Sequence, residues 1–164
     1  MVSTLAARHA AEIAGAVPDP ELPMLTLADL GVLAGVEQDG DAVTAWLTPT
    51  YSGCPAVAEM AADVELRLRA AGFTEVRVRL RLDPPWSTDL ITPAGRAKLA
   101  AAGIAPPGPS SPGLLQLGRT RLAVDCPQCG SADTEELSRF GSTACKALWR
   151  CRACREPFER MKEI

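Results

Sequence analysis

The segments Cys126-Pro127-Gln128-Cys129 and Cys151-Arg152-Ala153-Cys154 each carry two thiols separated by two residues, and 21 residues lie between the segments. Two cysteines at this spacing can bind one metal ion from a tight turn, because both sulfur atoms can point the same way. Two such turns supply the four ligands that Zn²⁺ takes in tetrahedral structural sites. The sequence therefore predicts an all-β zinc ribbon at the C-terminus, held by these four cysteines.

The sulfur ligands leave the identity of the metal open. Structural zinc is the favoured interpretation, but a rubredoxin-like iron centre and an iron–sulfur cluster also take four thiolates. A segment of this size is too short to build its own hydrophobic core and usually needs a metal or disulfides to fold. Because structural zinc contributes about 10–16 kcal/mol in small peptides, the metal is expected to supply the folding energy of the ribbon.

A proline-rich segment precedes the ribbon. Residues 105–113 contain four prolines and two glycines, a composition typical of a stiff, extended linker. The segment predicts a division into a domain over residues 1–104, a linker over 105–113 and the ribbon over 114–164.

The first domain alternates helical and strand patterns. The predicted elements are a helix over 4–17, a hairpin of strands 31–37 and 42–48, a helix from Pro55 to Gly72, an alternating strand through Leu82, and a helix from Thr92 to Gly103. This order predicts a small α+β domain whose sheet is covered by helices on one face.

Composition excludes several classes of function. A net charge of −3, with seven acidic and seven basic side chains in residues 122–164, disfavours binding to nucleic acid or to an anionic membrane. No run approaches the roughly 20 apolar residues of a membrane span. Arg8, His9 and Glu12 interrupt the only apolar N-terminal stretch, so we expect no export signal, a cytoplasmic protein and reduced thiols.

Cys54 is a second candidate site residue. It directly precedes Pro55, where a helix is predicted to begin, and the free amides at such an end favour a thiolate. A small buried side chain at a helix cap is an equally good interpretation. Because no other cysteine or histidine lies nearby in the sequence, a metal bound by Cys54 would be shared with a partner, a second protomer or the ribbon.

Three further residues have weaker claims. Cys145 lies beside Lys146, which would lower the pKa of the thiol, although strand residues often carry an inert thiol. Asp19 and Glu21 flank Pro20 on a rigid loop and are candidates for acid–base or metal-facing roles, with a solvated loop as the favoured interpretation. A single histidine and the lack of an H-E-x-x-H motif or a Gly-rich phosphate loop lead us to expect no catalytic centre.

Several segments together resemble known families. Asp19-Pro20-Glu21, Asp29-Leu30-Gly31 and the stretch Thr-Pro-Thr-Tyr-Ser-Gly-Cys-Pro over 48–55 resemble the MIP18-like family, which includes factors that deliver iron–sulfur clusters. With Pro-Trp-Ser-Thr-Asp over 85–89 and Phe-Gly-Ser-Thr-Ala-Cys-Lys-Ala-Leu over 140–148, residues 5–164 resemble the PaaD family, the D components of the bacterial phenylacetyl-CoA epoxidase system of aerobic phenylacetate breakdown.

The resemblance implies an accessory role rather than catalysis. The other components of that system are similar to a di-iron oxygenase, a structural partner and a reductase with a flavin and a [2Fe–2S] cluster. The resemblance implies a maturation factor for these iron or iron–sulfur centres, with the reductase as the foremost partner, or alternatively a docking subunit with a structural zinc ribbon. A homodimer is left open.

The resemblance also assigns roles to residues. Cys54 matches the signature cysteine of the family, and Asp19 and Glu21 match its acidic loop. Cys54, with Cys145 as a second candidate, is therefore the implied point of transfer for a transient iron–sulfur cluster. Ring epoxidation by the chain itself is disfavoured, because one histidine cannot supply the two Glu-x-x-His pairs of a di-iron site.

Overall fold

The computed structural model describes residues 5–51, 53–110 and 123–164. Contacts divide the chain into two units, Met1–Gly95 and Arg96–Ile164. The elements in chain order are α1 (Leu5–Gly15), α2 (Leu27–Leu30), β1 (Leu33–Asp39), β2 (Ala42–Leu47), α3 (Ala56–Ala70), β3 (Glu75–Leu80), a 3₁₀ turn (Thr88–Leu90), α4 (Pro93–Ala101), β4 (Ile104–Ala105), β5 (Thr134–Ser138), β6 (Lys146–Cys151) and β7 (Pro157–Met161). The predicted α+β class is confirmed.

The first unit contains a three-stranded sheet in the order β1-β2-β3. β1 and β2 form the predicted antiparallel hairpin around Gly40, whose φ of +59° suits a tight turn. α3 then crosses over and returns the chain to β3, which runs parallel to β2. Val43, Ala45 and Leu47 alternate along β2 and are fully buried, so one face of the sheet meets the core.

Two details of the predicted apolar pattern are wrong. The sequence groups Leu5 with Ile13 and Val17 on one apolar side of the first helix, but Leu5 is 85% exposed. α1 instead buries Ala7, Ala10 and Ala14, because small side chains allow a close approach of the helix. The predicted strand through Leu82 ends at Leu80, and Leu82 is 67% exposed.

The Asp29-Leu30-Gly31 segment builds a turn that the sequence did not predict as a helix. Thr26 and Asp29 form a reciprocal capping box at the start of α2, and Gly31 ends α2 with a φ of +69°. The carbonyl of Leu30 accepts a buried hydrogen bond of 2.9 Å from the indole N–H of Trp86. These residues, which carry much of the family resemblance, thus stabilise the fold of the first unit.

The second unit contains a four-stranded sheet in the order β4-β7-β6-β5. Its small core consists of Ala105, Val124, Ala147, Trp149 and Phe158 together with Cys126 and Cys151. β4 pairs in parallel with β7, so Ile104 and Ala105 belong to this sheet and the unit begins before the predicted boundary. Part of the predicted linker, residues 111–113, lies outside the described residues, and the independence of residues 1–104 stays a prediction.

Gly31 offers a test of the turn after α2. A Cβ at Gly31 would lie 2.6 Å from the Cβ of Leu90, whereas a Cβ at Gly40, which also has a positive φ, meets nothing within 4 Å. Gly40→Ala should therefore lose about 1 kcal/mol from the left-handed backbone alone, and Gly31→Ala about 2–4 kcal/mol because steric overlap adds to it. Denaturant unfolding of both variants measures the difference, and equal losses would contradict it.

Candidate metal centre

The two cysteine pairs lie in turns that share one hydrogen-bonding pattern. The backbone N–H of Cys126 donates to the carbonyl of Ser131 over 2.9 Å, and the N–H of Cys151 donates to the carbonyl of Glu156 over 3.0 Å. In each turn the first cysteine therefore contacts the residue five positions later. The shared geometry brings both sulfur atoms of each pair to the same side of the turn.

A left-handed residue follows the second cysteine of each turn. Gly130 adopts a φ of +74° in the first turn, and Arg155 adopts a φ of +66° in the second. Glycine suits this conformation, so Gly130 was a visible signal in the sequence. Arg155 carried no such signal, because arginine is an uncommon residue at positive φ.

The four sulfur atoms converge on one point. The Sγ atoms of Cys126, Cys129, Cys151 and Cys154 all lie within 4.8 Å of one another, with separations of 3.7 Å for Cys126–Cys154 and 3.6 Å for Cys129–Cys151. Four metal–sulfur bonds of about 2.3 Å in a tetrahedron would place the sulfurs about 3.8 Å apart. The donor set therefore fits a single metal ion. An iron–sulfur cluster fits less well, because its cysteines are spread over several iron atoms.

The thiols compete for negative charge. The N–H of Cys154 donates to the sulfur of Cys151 and lowers the pKa of Cys151 to about 7. The N–H of Glu156 lowers the pKa of Cys154, but burial and the neighbouring thiols outweigh it and raise that pKa to about 12. The pKa of Cys129 is also raised: the N–H of Ser131 lowers it, but the thiol of Cys151 opposes this. Cys151 therefore loses its proton more readily than Cys129 and Cys154, whose raised pKa values mean that they need a cation to become thiolates.

Arginines beside the second turn are engaged by an acidic side chain on β5. Glu135 accepts hydrogen bonds from Arg150 over 3.1 Å and from Arg152 over 2.8 Å. Arg152, followed by Arg150, lowers the pKa of the Glu135 carboxyl. The N–H of Arg152 also donates to the carbonyl of Asp133 over 2.8 Å. Their side chains thus tie the second turn to β5, a role that the sequence did not indicate.

Cys54 lies where the sequence placed it, at the start of α3. Its N–H donates to the carbonyl of Tyr51, and its own carbonyl accepts from the N–H of Val57, both over 3.3 Å. Pro55 forms the N-cap without a side-chain hydrogen bond, and Cys54 is half-buried. Within residues 5–51, 53–110 and 123–164, the four ribbon cysteines are the only group of three or more potential metal ligands, so Cys54 joins no such group.

The acidic loop has a structural task. Asp19 is buried, which differs from the favoured interpretation of a solvated loop. One carboxylate oxygen of Asp19 accepts hydrogen bonds of 2.8 Å from the N–H groups of Glu21 and Leu22. The carboxylate thereby fixes the turn after Pro18. Glu21 is half-buried beside it, and a role for either residue in metal handling stays a prediction.

Cys145 lies in the interior of the second unit. It is 5% exposed, and its sulfur lies 3.1 Å from the hydroxyl of Thr143. The ammonium of Lys146 points to a different partner and forms an ion pair of 2.9 Å with Glu159. A transfer role for Cys145 stays a prediction, but its burial favours Cys54 as the more accessible thiol.

Among the helices that the structure describes, none combines the length and apolarity needed to cross a membrane.

Two family models match separate parts of the chain. The model described as PaaD zinc beta ribbon domain matches residues 110–162, which contain the four converging cysteines. The model described as iron–sulfur cluster assembly protein matches residues 15–80, which contain the acidic loop and Cys54.

Individual proteins match as well. A protein of Escherichia coli (strain K12), described as the putative D subunit of 1,2-phenylacetyl-CoA epoxidase, is 46% identical over 148 residues, which cover 90% of this chain and 87% of the relative. Among solved structures, a domain of unknown function (DUF59) from Bacillus anthracis aligns with a TM-score of 0.53 and 26% identity, over 57% of this chain and 91% of that one. The likeness supports the fold of the first unit.

Arg155 provides a test of the second turn. Because Arg155 holds a φ of +66°, Arg155→Gly should stabilise the metal-bound second unit by about 1 kcal/mol. Arg155→Ala removes the same guanidinium but keeps the strained backbone, and it should give no such gain. Thermal unfolding of the metal-bound variants separates the two effects, and equal midpoints for both variants would refute the backbone explanation.

Proposed function

The chain belongs to the family of the phenylacetyl-CoA epoxidase D subunits, and we propose that it acts as an accessory component of that system in aerobic phenylacetate breakdown. We propose further that it serves as a maturation factor for the iron–sulfur or iron centres of the oxygenase and reductase. The reductase, which carries a [2Fe–2S] cluster in such systems, is the proposed recipient. The chain itself is proposed to lack a catalytic centre.

One observation carries the maturation role. The half-buried thiol of Cys54 lies at the N-terminus of α3, inside the stretch that matches the iron–sulfur cluster assembly family. Cys54 directly precedes Pro55, the N-cap of this 15-residue helix. Thiolates are the ligands that iron–sulfur clusters take. Cys54 therefore combines access, ligand type and family context.

The proposed transfer is a ligand exchange. The cluster is the cargo, and one of its iron atoms is bound by the Cys54 thiolate. The remaining ligands of the cluster come from the donor or the recipient. A recipient thiolate then forms a bond to that iron while the bond to Cys54 breaks. No electrons are exchanged, and the leaving thiolate of Cys54 regains the state it had before loading. A single thiol suits this task, because it holds the cargo weakly enough to release it.

We propose that zinc occupies the four-cysteine site of the second unit. The site offers only thiolates at separations suited to one tetrahedral ion, and all four positions are filled by the protein. A closed site of this kind is typical of structural zinc. The same closure is the observation in favour of the second candidate function, a docking subunit whose metal never leaves.

Metal analysis tests the assignment of the ribbon. Purified protein should contain close to one zinc per chain and show no visible colour, because Zn²⁺ has a filled d shell. Cys129→Ser should release the metal. A red or brown preparation with one iron per chain would replace zinc with a rubredoxin-like centre.

Cys54→Ser tests the maturation role. The substitution replaces the soft sulfur ligand by a hydroxyl of similar size. The fold should therefore be preserved while cluster transfer is lost. In a deletion strain, this variant should support poor growth on phenylacetate and yield a reductase depleted in iron and sulfide. Both quantities are measured on the purified reductase.

The matched control is Cys145→Ser, which changes the other cysteine outside the metal site. Cys145 is buried, so this variant should leave the reductase loaded. A fully loaded reductase and normal growth with Cys54→Ser would reject Cys54 as the transfer residue and favour the docking subunit.

A further inference from the structure

The loop between β5 and β6 displays an aromatic side chain to solvent. Phe140 is 76% exposed, the most exposed aromatic residue among those that the structure describes. A phenylalanine ring left in water forgoes the stabilisation that burial would give. The contacts around this loop indicate that the loop backbone is fixed in the position that exposes the Phe140 ring.

Glu159 fixes the loop from one side. Its carboxylate accepts hydrogen bonds from the N–H and hydroxyl of Ser142, over 2.6 and 3.1 Å, and pairs with the ammonium of Lys146 at 2.9 Å. Gly141 lies so close that a Cβ would approach the carboxylate to 2.7 Å. The N–H of Gly141 closes the loop by donating to the carbonyl of Lys146 over 2.9 Å.

Phe140 and its neighbour are fixed from the other side. The N–H of Phe140 donates to the hydroxyl of Ser138 over 3.1 Å. The ammonium of Lys162 donates to the carbonyl of Arg139 over 3.2 Å and lies 5.5 Å from the centre of the Phe140 ring. The ring therefore projects from a loop whose backbone is held at several points.

This arrangement is costly for a loop that serves only to connect two strands. The side chain of Lys146 is 6% exposed and that of Glu159 is 25% exposed, and an ion pair removed from water rarely adds net stability. A connecting loop of ordinary composition would need neither this partly buried ion pair nor a glycine beside the carboxylate. What the pair does provide is a single, fixed position for the exposed ring, and preorganisation of this kind strengthens binding.

The charge around the ring defines the partner. Arg139 and Lys162 flank Phe140, and neither forms an ion pair with any residue in the described ranges. The tip therefore combines one exposed aromatic side chain with two cations that have no carboxylate partner among the described residues, which matches an interface with an aromatic centre and a charged rim. Its complement is an apolar pocket with carboxylates at its rim.

We propose that Phe140, with Arg139 and Lys162, is the anchor by which this chain docks onto a component of the epoxidase system that presents an apolar pocket rimmed by carboxylates. The inference rests on the proposed function for the identity of the partner. It adds that the contact is made through the second unit.

Binding of the full-length chain to each purified epoxidase component tests the proposal. Phe140→Ala should weaken binding to one component by about 30-fold or more, as expected for a central anchor. Arg139→Glu should weaken it by about tenfold and reduce its sensitivity to salt. The matched controls are Leu66→Ala, which truncates another largely exposed apolar residue (67% exposed), and Arg8→Glu, which makes the same charge change on α1. Both should remain within twofold of wild type.

Two outcomes would overturn the proposal. One is that Phe140→Ala binds as well as wild type, and the other is that no component binds the wild-type chain. The iron and sulfide content of the reductase is measured in parallel in the deletion strain that carries Cys54→Ser. The docking anchor and the maturation role can therefore be overturned independently of each other. A depleted reductase without detectable binding overturns the docking anchor alone. Binding through Phe140 beside a fully loaded reductase overturns the maturation role alone.

Discussion

Four thiols confined within 4.8 Å are the constraint on which the second unit depends. They cannot all carry charge in this space without a cation, and the opposed shifts of the pKa values of Cys151 and Cys154 express that conflict. Two of the four ligands, Cys126 and Cys151, are also members of the small core. We therefore expect metal binding and burial of the apolar side chains to occur together, since the turns that present the sulfurs also bring β5, β6 and β7 together.

The sequence predicted the features that follow from strong local patterns. The spacing of the cysteines located the metal centre, and the hairpin and α3 followed from a turn glycine and a helical apolar period. It did not predict α2, whose four residues are too few for a period, or β4, whose two residues pair with β7 far along the chain. It also could not reveal the burial of Asp19, because an Asp-Pro-Glu segment has the composition of an exposed loop and only tertiary contacts decide otherwise.

In the proposed function, the cysteines of the two units have different roles. In the second unit, four cysteines offer a complete tetrahedral ligand set for one ion and leave no free position, so this site suits architecture. In the first unit, Cys54 stands outside any group of ligands that the structure describes, and an incomplete site suits cargo that must leave again. Asp29 and Trp86, which carry part of the family resemblance, support the backbone of this unit through a helix cap and a buried hydrogen bond to the carbonyl of Leu30. On this account, the residues that carry the resemblance hold a scaffold that presents the single thiol of Cys54.

Hydrogen exchange before and after removal of the metal from the full-length chain tests most directly whether the metal holds the second unit together. The account predicts that amides of β5, β6 and β7 lose their protection when a chelator removes the ion, while amides of α1, β2 and α3 keep theirs. Protection retained in β5 to β7 after complete loss of the metal would contradict it, because the apolar core alone would then suffice to fold the ribbon.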